Sequence, residues 1–481
     1  MKKKLLAFLL ITLMIANTLL LTACGGGGGG TTAPDIQASD IKFDPNEPVT
    51  IKFVHTMGAA LQEVLDAYIV EFNKLYPNIT VEHENGGNYD DVRDNLKTQI
   101  NVGAQPNIAY CYPDHVALYN MAGAVQTLDD FINSNSTVTR ADGTTEIIGL
   151  TQEQKDAFVD GFYAEGAAYG DGKMYTLPFS KSTEVLYYNK EFFAEHNLKV
   201  PTTWAEMEEV CKKIKEIDPK SIPLGYDSEA NLFITMCEQL GSDYTSASGD
   251  HYLFNNDENK AFVAMFREWF QKGYMTTKEL HGAYTSALFI NIPTAENPVR
   301  SYMSIGSSGG AQHQRPAANT DGSYPFTVGI APIPQANPDA PAAISQGPNV
   351  TIFKKSNPQE VVASWLFIKY LTTSVDFQAA FSVKSGYMPV LETVAQNEIY
   401  KNYIANAENG NNYITALSVK VSLEQSNAYF VSPAFNGSST ARDMVGAIIK
   451  AVLPFEGDAN AVKSKIDQEF QNAVDECEYN G

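Results

Sequence analysis

The segment Leu177-Pro178-Phe179-Ser180-Lys181-Ser182-Thr183-Glu184-Val185-Leu186-Tyr187-Tyr188-Asn189-Lys190 joins two kinds of local structure. Pro178 has no backbone amide donor and favours an extended conformation in the residue before it. The β-branched and aromatic residues from Val185 to Tyr188 favour a strand, and Asn189 can cap a helix that begins at Lys190. The segment therefore predicts the point at which the chain leaves one domain and enters a second.

The residues before this segment alternate between strand and helix patterns. Val49 to Val54, Ile79 to His83 and Gly103 to Tyr110 have the character of strands, and apolar residues at helical spacing separate them. This order and these lengths predict a parallel α/β layer. At 481 residues with 44% hydrophobic content, the chain is long enough for two domains, each with its own core.

The charge of the chain excludes one class of partner. It carries 34 Lys and Arg against 56 Asp and Glu, a formal net charge of −22. Binding to nucleic acid requires clustered Lys and Arg facing the phosphates, so we expect no nucleic-acid partner. The seven histidines show no metal-ligand spacing, and the sequence contains no phosphate-binding loop. We therefore expect no metal ion and no cofactor.

The N-terminus has the pattern of a secretory signal. Lys2 to Lys4 are positive, Leu5 to Leu21 are mostly apolar, and small residues precede Cys24. The ending Leu-Thr-Ala-Cys resembles the lipobox of bacterial lipoproteins, which implies cleavage after residue 23, a lipid on Cys24 and an extracytoplasmic protein anchored to the cell membrane. An uncleaved transmembrane anchor is the alternative, although the apolar run is short for one. We expect residues 24–47, which begin with Gly25 to Gly30, to be a flexible tether.

The remaining cysteines give no clear pattern. Cys111, Cys211, Cys237 and Cys477 match no metal template, and four cysteines allow three disulfide pairings that spacing cannot distinguish. Buried free thiols are the expected state.

Several segments resemble bacterial extracellular solute-binding proteins of family 1, the binding subunits of ABC importers. The likeness covers nearly all of the chain from Val49 onward. It is carried by the segment from Leu177 to Phe193 and by the runs Phe72–Pro77, Ala122–Ile132 and Pro201–Glu206, the last of which has a Pro-x-Thr-Trp pattern.

The resemblance implies an α/β fold of the periplasmic-binding-protein-like type II class, with two α/β lobes joined by three crossover segments. The expected first lobe is 48–178 with 348–384, and the expected second lobe is 179–347 with 388–481. It also implies a monomer that binds a small solute between the lobes, delivers it to ABC permease subunits and catalyses no reaction.

Within the family, the likeness is greatest to glycerol-3-phosphate-binding proteins. Carried over position by position, that likeness makes six residues ligand candidates: Tyr89, Asp114, Ser182, Ser308, Gly347 and Tyr387. At position 114 this chain has an aspartate where the subfamily has a glutamate. Tyr226 is a seventh candidate, because it is a tyrosine in a predicted loop.

Two departures favour a neutral sugar or oligosaccharide over glycerol 3-phosphate or a glycerophosphodiester. The region around Tyr226 lacks the tryptophans of that subfamily, and Arg442 lies one helical segment too late to match its phosphate-facing arginine. A buried phosphate without a cationic partner would be costly. Tyrosines, of which the chain has 25, suit a carbohydrate because the ring packs on C–H faces while the hydroxyl bonds to polar edges.

A secreted serine hydrolase is the alternative from another functional class. Gly306 to Gly310 fits G-x-S-x-G after a strand, which would make Ser308 a nucleophile and His313 its base. Five residues is a poor spacing for such a pair, and Gly/Ser runs are common in loops. An adhesion or sensory lipoprotein of the same fold is a third possibility.

Overall fold

The computed structural model describes residues 33–480, so the signal sequence and Cys24 lie outside the described residues. In chain order the strands are β1 (Val49–His55), β2 (Ile79–Asn85), β3 (Ile108–Cys111), β4 (Thr137–Thr139), β5 (Thr145–Ile147), β6 (Thr176–Pro178), β7 (Ser182–Asn189), β8 (Leu224–Tyr226), β9 (Met275–Thr277), β10 (Met303–Ser307), β11 (Val328–Pro332), β12 (Ala343–Gln346), β13 (Asn349–Ile352) and β14 (Tyr429–Phe430).

The α-helices are α1 (Ala59–Leu75), α2 (Tyr89–Asn101), α3 (Pro113–Met121), α4 (Asp129–Ile132), α5 (Gln152–Ala157), α6 (Asp160–Ala164), α7 (Lys190–Glu195), α8 (Trp204–Ile217), α9 (Glu229–Leu240), α10 (Asp257–Gln271), α11 (Lys278–His281), α12 (Ser286–Phe289), α13 (Pro358–Thr373), α14 (Val375–Ser385), α15 (Glu398–Ala405), α16 (Ile414–Glu424), α17 (Ser438–Val452) and α18 (Ala459–Asn480). A short 3-10 helix, Ser308–Gln314, follows β10.

Most of the strands form two large sheets. In the first, of order β2-β1-β3-β13-β6, β1 pairs in parallel with β2 and β3, and β13 runs antiparallel to β3 and β6. In the second, β10, β11 and β12 run antiparallel to β7, and β8 pairs in parallel with β9 and β10. The first three strands confirm the predicted parallel α/β layer, and the two sheets form the expected two lobes.

Each sheet is covered by helices and has its own apolar core. Phe53, Leu177 and Trp365 belong to the core around the first sheet, which we call the first core. Trp204 and Trp269 belong to the core around the second sheet, the second core. Because burial of apolar surface is the main favourable contribution to folding, two separate cores let each lobe hold its own shape.

The segment that begins at Leu177 joins the sheets as predicted. β6 lies in the first sheet and β7 in the second, and the Asn189 side chain caps α7 by accepting from the Phe192 amide over 2.9 Å. The chain returns to the first sheet between β12 and β13. Short connections of this kind permit the lobes to rotate relative to one another.

A buried lysine ties these connections together. Lys181 is fully buried and forms an ion pair with Glu165. Its Nζ donates to Asn349 Oδ1 over 2.8 Å, and its backbone exchanges hydrogen bonds of 3.1 and 2.7 Å with Met388. Lys181 therefore links β6–β7, β13 and the segment that follows α14.

Apolar side chains near two of the predicted boundaries pack into the first core. Ile36, Ile41 and Phe43 pack into the first core, so the part of the predicted tether from residue 36 to residue 43 is folded. Buried side chains from Leu391 to Ala407, and further along the chain Ala416 and Val419, also belong to the first core, so the chain contacts that core beyond the predicted third crossing at 384–390. In both places the apolar side chains are buried against the first sheet. The exact division of the chain into lobes stays a prediction.

Cys111, Cys211, Cys237 and Cys477 are free and buried, as expected. Burial raises the pKa of each thiol, which keeps it protonated and unreactive. Across residues 33–480, no helix combines the length and apolar character needed to cross a membrane.

Candidate functional site

A cavity of about 530 Å³ lies between the two sheets. Residues from the ends of β1 and β3 and from the start of α2 line one side, and residues from β7, α9, α17 and the 3-10 helix line the other. Parallel sheets commonly bind ligands at the carboxyl ends of their strands, and this cavity follows that rule for β1 and β3.

Tyrosines form the wall on the side of the first sheet. The rings of Tyr89 and Tyr112 stack with centroids 4.1 Å apart, and Tyr110 lies 6.1 Å from Tyr89 at a small interplanar angle of 19°. The hydroxyls of Tyr89 and Tyr387 lie 3.4 Å apart. Burial raises the pKa of all four phenols, so each remains a hydrogen-bond donor at neutral pH.

The local sequence places this wall. Asn88 caps α2 in a capping box, its side chain accepting from the Asp90 and Asp91 amides, and so fixes Tyr89 in the first turn. Tyr110 lies on β3, and Tyr112 follows the strand where Pro113 begins the next helix. Strand end and helix start therefore hold three aromatic rings at one edge of the cavity.

Carboxylates and amides form the opposite wall. Glu184 on β7 accepts from Tyr226 Oη over 2.6 Å and from Asn231 Nδ2 over 3.0 Å. Asp227 Oδ1 accepts from the Thr285 amide and hydroxyl over 2.6 and 2.7 Å. Burial raises the pKa of Glu184 to about 7 and also raises the pKa of Asp227.

Arg442 also lines the cavity, although its position in the sequence lies one helical segment too late to match the phosphate-facing arginine of the glycerol-3-phosphate-binding proteins. It lies in α17, which begins at Ser438 and packs against α9. The guanidinium donates to Asn231 Oδ1, and Asn231 Nδ2 in turn donates to Gln346 Oε1 over 3.1 Å. The sequence spacing was misleading because helix packing, and not position in the chain, brings this arginine to the cavity.

Three of the seven predicted ligand residues lie at the cavity or beside it. Tyr89 and Tyr387 line it directly. Asp114 lines a smaller adjoining space of about 40 Å³ that shares Tyr112 and Arg442 with the main cavity. Asp114 Oδ2 is buried there without a hydrogen-bond partner in the protein.

The other four predicted residues do not line the cavity, and a role for them in ligand binding stays a prediction. Ser182 is 1% exposed and pairs through its backbone with Gln346 in the sheet. Tyr226 is fully buried and bonds to Glu184. Gly347 adopts a φ of +116° and packs its Cα against the backbone of the β6–β7 connection, where a side chain would clash.

Ser308 is also fully buried. Its Oγ accepts from the Thr183 amide over 3.2 Å, and its carbonyl accepts from Ser418 Oγ over 3.0 Å. Ser307, Gly309 and Gly310 line the cavity in its place. The G-x-S-x-G match therefore puts the central serine in the protein interior, where it supports a loop.

Several cavity residues were missed from the sequence. They are polar or charged side chains that were not among the predicted ligand residues: Glu184, Asp227, Asn231, Lys278, Gln314, Gln346 and Arg442. One signal was available, because Glu184 directly precedes the run Val185–Tyr188 that predicts a buried strand. An acid buried beside such a run is costly unless it has hydrogen-bond partners.

Solved structures share this fold. The GacH receptor of Streptomyces glaucescens GLA.O, studied unliganded and with acarbose, superposes with a TM-score of 0.68 at 16% identity over 89% of this chain and 99% of that chain. UgpB from Mycobacterium tuberculosis, solved with glycerophosphocholine, gives 0.67 at 18% identity over 89% of this chain and 98% of that chain.

Sequence comparison points to the same class of protein. The sn-glycerol-3-phosphate-binding periplasmic protein UgpB of Shigella dysenteriae is 25% identical over 360 residues, which cover 71% of this chain and 74% of that protein. The sequence pattern that defines the family described as "Bacterial extracellular solute-binding protein" matches residues 67–408. The chain therefore belongs to the bacterial extracellular solute-binding proteins, the binding subunits of ABC importers.

Proposed function

We propose that this chain is a lipid-anchored binding subunit that captures a carbohydrate-like solute in the cavity between its lobes and delivers it to a membrane permease. The observation that supports this solute class is the pairing of a tyrosine wall with a wall of carboxylates and amides. Sugar rings present C–H faces to aromatic rings and hydroxyls to polar acceptors, so they match both walls at once.

The size and charge of the cavity support a neutral solute first. About 530 Å³ is within the usual range for a small-molecule site. Among the lining residues, the carboxylates Asp90, Glu184 and Asp227 outnumber the cations Lys278 and Arg442. An anionic solute would therefore meet a slightly unfavourable field, whereas hydroxyl groups would find acceptors on both carboxylates of the second lobe.

A glycerophosphodiester is the second candidate. The observation that favours it is Arg442, because a guanidinium is well suited to bind phosphate oxygens. The relatives named for glycerol 3-phosphate and the structure solved with glycerophosphocholine support the same class. Although Arg442 does not match the position of the subfamily's phosphate-facing arginine, its place in the cavity wall supports this candidate.

The lipid anchor, the monomeric state and the absence of catalysis are part of the same proposal. The anchor rests on the lipobox ending at Cys24. Absence of hydrolysis is supported by Ser308, whose Oγ is fully buried and bonded to the Thr183 amide. Ser308→Ala should accordingly weaken solute binding by loosening its loop, without abolishing any turnover of ester substrates.

Thermal unfolding of the full chain in mild detergent tests the solute class. A solute that binds only the folded protein raises the melting temperature by mass action. We expect maltose-type oligosaccharides to raise it in both the wild type and Arg442→Gln. If glycerophosphocholine alone raises it, and Arg442→Gln removes the effect, the second candidate replaces the first. If no sugar or phosphodiester raises it, the proposed solute classes are both refuted.

A further inference from the structure

A buried carboxylate lies in the wall of the proposed solute cavity. Glu184 is 1% exposed, yet it is one of the residues that line the cavity. Both of its oxygens are held, Oε2 by Tyr226 Oη and Oε1 by Asn231 Nδ2. A burial of this kind is costly for a charged group unless its hydrogen-bond partners offset the cost.

Asn231 connects Glu184 to the arginine of the cavity. Its Nδ2 donates to Glu184, which leaves its Oδ1 turned towards the guanidinium of Arg442, and that guanidinium donates to it. A guanidinium has five N–H donors, so this bond leaves capacity for a solute oxygen. Glu184, Asn231 and Arg442 therefore form one chain of hydrogen bonds that ends at the cavity.

The charge of Glu184 changes the balance of the whole site. The other charged or histidine side chains of the cavity wall come from α2, α11, α17, the 3-10 helix and the residue after β8: Asp90, Lys278, Arg442, His313 and Asp227. With Glu184 ionised, three carboxylates face two cations. With Glu184 neutral, two carboxylates face two cations, and the field at Arg442 becomes more favourable for an anion.

We propose that the charge on Glu184 decides whether this cavity prefers a neutral polyhydroxyl solute or an anionic one, acting through Asn231 on Arg442. The inference rests on the proposed function and joins its two candidate solutes in one mechanism. The carboxylate offsets Arg442 and keeps neutral sugars preferred, whereas the protonated acid frees the guanidinium for a phosphodiester.

The surroundings of Glu184 shift its pKa so that the side chain gains or loses its proton near neutral pH. Burial raises its pKa to about 7, and the hydrogen bonds from Tyr226 and Asn231 and the charge of Arg442 act in the opposite direction. Asp227, which is nearby, raises it slightly. Stronger phosphodiester binding is therefore expected below neutral pH, because most of the Glu184 side chains are protonated there.

Glycerophosphoglycerol is the probe, since a phosphodiester keeps one negative charge between pH 6 and pH 8. Its affinity for the full chain in mild detergent would be measured by titration calorimetry. If the phosphodiester binds only when Glu184 is neutral, the population of the binding form falls from about nine tenths at pH 6 to about one tenth at pH 8. Binding should therefore weaken about tenfold over this range. Glu184→Gln should bind equally at both pH values, with the affinity of the wild type at pH 6.

The Glu184→Gln side chain can keep the hydrogen-bond network, because its oxygen can accept from Asn231 while its amide donates to Tyr226 Oη.

Tyr226→Phe provides a second test that leaves Glu184 in place. It removes a bond that favours the carboxylate, so the midpoint of the pH dependence should move to higher pH. Glu82→Gln, which removes an acid that is 58% exposed on the first lobe, is the matched control and should keep the tenfold change.

The outcomes separate this inference from the proposed function. A wild-type affinity for the phosphodiester that does not change between pH 6 and pH 8 would overturn the inference. So would a pH dependence of that affinity in Glu184→Gln equal to that of the wild type. Binding of maltose with no binding of the phosphodiester at either pH would also overturn it, and would leave the carbohydrate proposal standing. Failure of both probes would refute the proposed function itself.

Discussion

The buried ion pair of Lys181 and Glu165 offers the sharpest test of how the connections between the lobes are stabilised. We consider Lys181→Met, which keeps an unbranched side chain of similar length and removes the charge. Lys181 is fully buried and Glu165 is 5% exposed, so solvent cannot take over the role of the lost ammonium. The variant leaves a buried carboxylate whose remaining partner is Asn349 Nδ2, 3.1 Å away.

The expected loss follows from these contacts. Removal of one member of a buried ion pair costs about 3–5 kcal/mol of unfolding free energy, because the other charge stays in the interior. Asn349 Oδ1 also loses its 2.8 Å donor, which favours the upper part of that range. The double variant Lys181→Met with Glu165→Gln removes the stranded charge, so we expect it to regain most of the loss.

Urea unfolding followed by tryptophan fluorescence at pH 7 measures both effects. The single variant should unfold at lower urea with an unchanged dependence on urea concentration, which would show that stability and not compactness has changed. The double variant and Glu165→Gln alone complete a thermodynamic cycle. A loss below 1 kcal/mol in Lys181→Met, or a double variant no more stable than the single one, would refute the idea that a stranded charge dominates.

Three further variants test other parts of the structure. Tyr112→Ala removes a ring stacked 4.1 Å from Tyr89 and should weaken solute binding about tenfold by calorimetry, whereas Tyr112→Phe should retain it; equal losses would contradict a stacking role. Thr203→Ala removes the cap that accepts from the Glu206 amide over 3.2 Å and should lower the free energy of unfolding by about 1 kcal/mol in urea, with Thr203→Ser unchanged. Burial, with a contribution from His83, lowers the pKa of His55 to about 4. On acidification, His55 in the unfolded chain is therefore protonated at a higher pH than His55 in the folded protein. The free energy of unfolding that is present above about pH 6.5 should consequently fall by roughly 2–3 kcal/mol by pH 4.5. Urea unfolding of His55→Gln should show correspondingly less acid sensitivity, and identical pH profiles would exclude His55 as the cause.

The fold was largely predictable because local signals and the family pattern agreed. Pro178, the strand after it and the cap at Asn189 act over a few residues, so the sequence alone reveals them. The parallel layer of β1, β2 and β3 likewise follows from alternating periodicity. Such features depend on neighbours in the chain, and they appear where they were expected.

The candidate site was harder to predict, because it depends on which individual side chains point into the cavity and on contacts between residues far apart in the sequence. Ser307 lines the cavity and Ser308 is buried, and Gln346 lines it while Gly347 packs at a crossing. In extended backbone a shift of one residue reverses the side on which a side chain lies. Arg442 shows the second difficulty, since its place depends on how α17 packs on α9, more than 200 residues earlier (442 − 231 = 211).

The folded residues from Ile36 to Phe43 set a limit on where this protein can work. Only 11 residues, 25–35, lie between Ile36 and the proposed lipid on Cys24. Even fully extended, the 12 steps along the chain from Cys24 to Ile36 reach only about 40 Å. If Cys24 carries the proposed lipid, the first lobe is held beside the bilayer, and the solute is captured within a thin layer above the membrane. A permease in the same membrane would meet its delivery partner at a local concentration fixed by this short reach, whatever the number of copies that the cell makes.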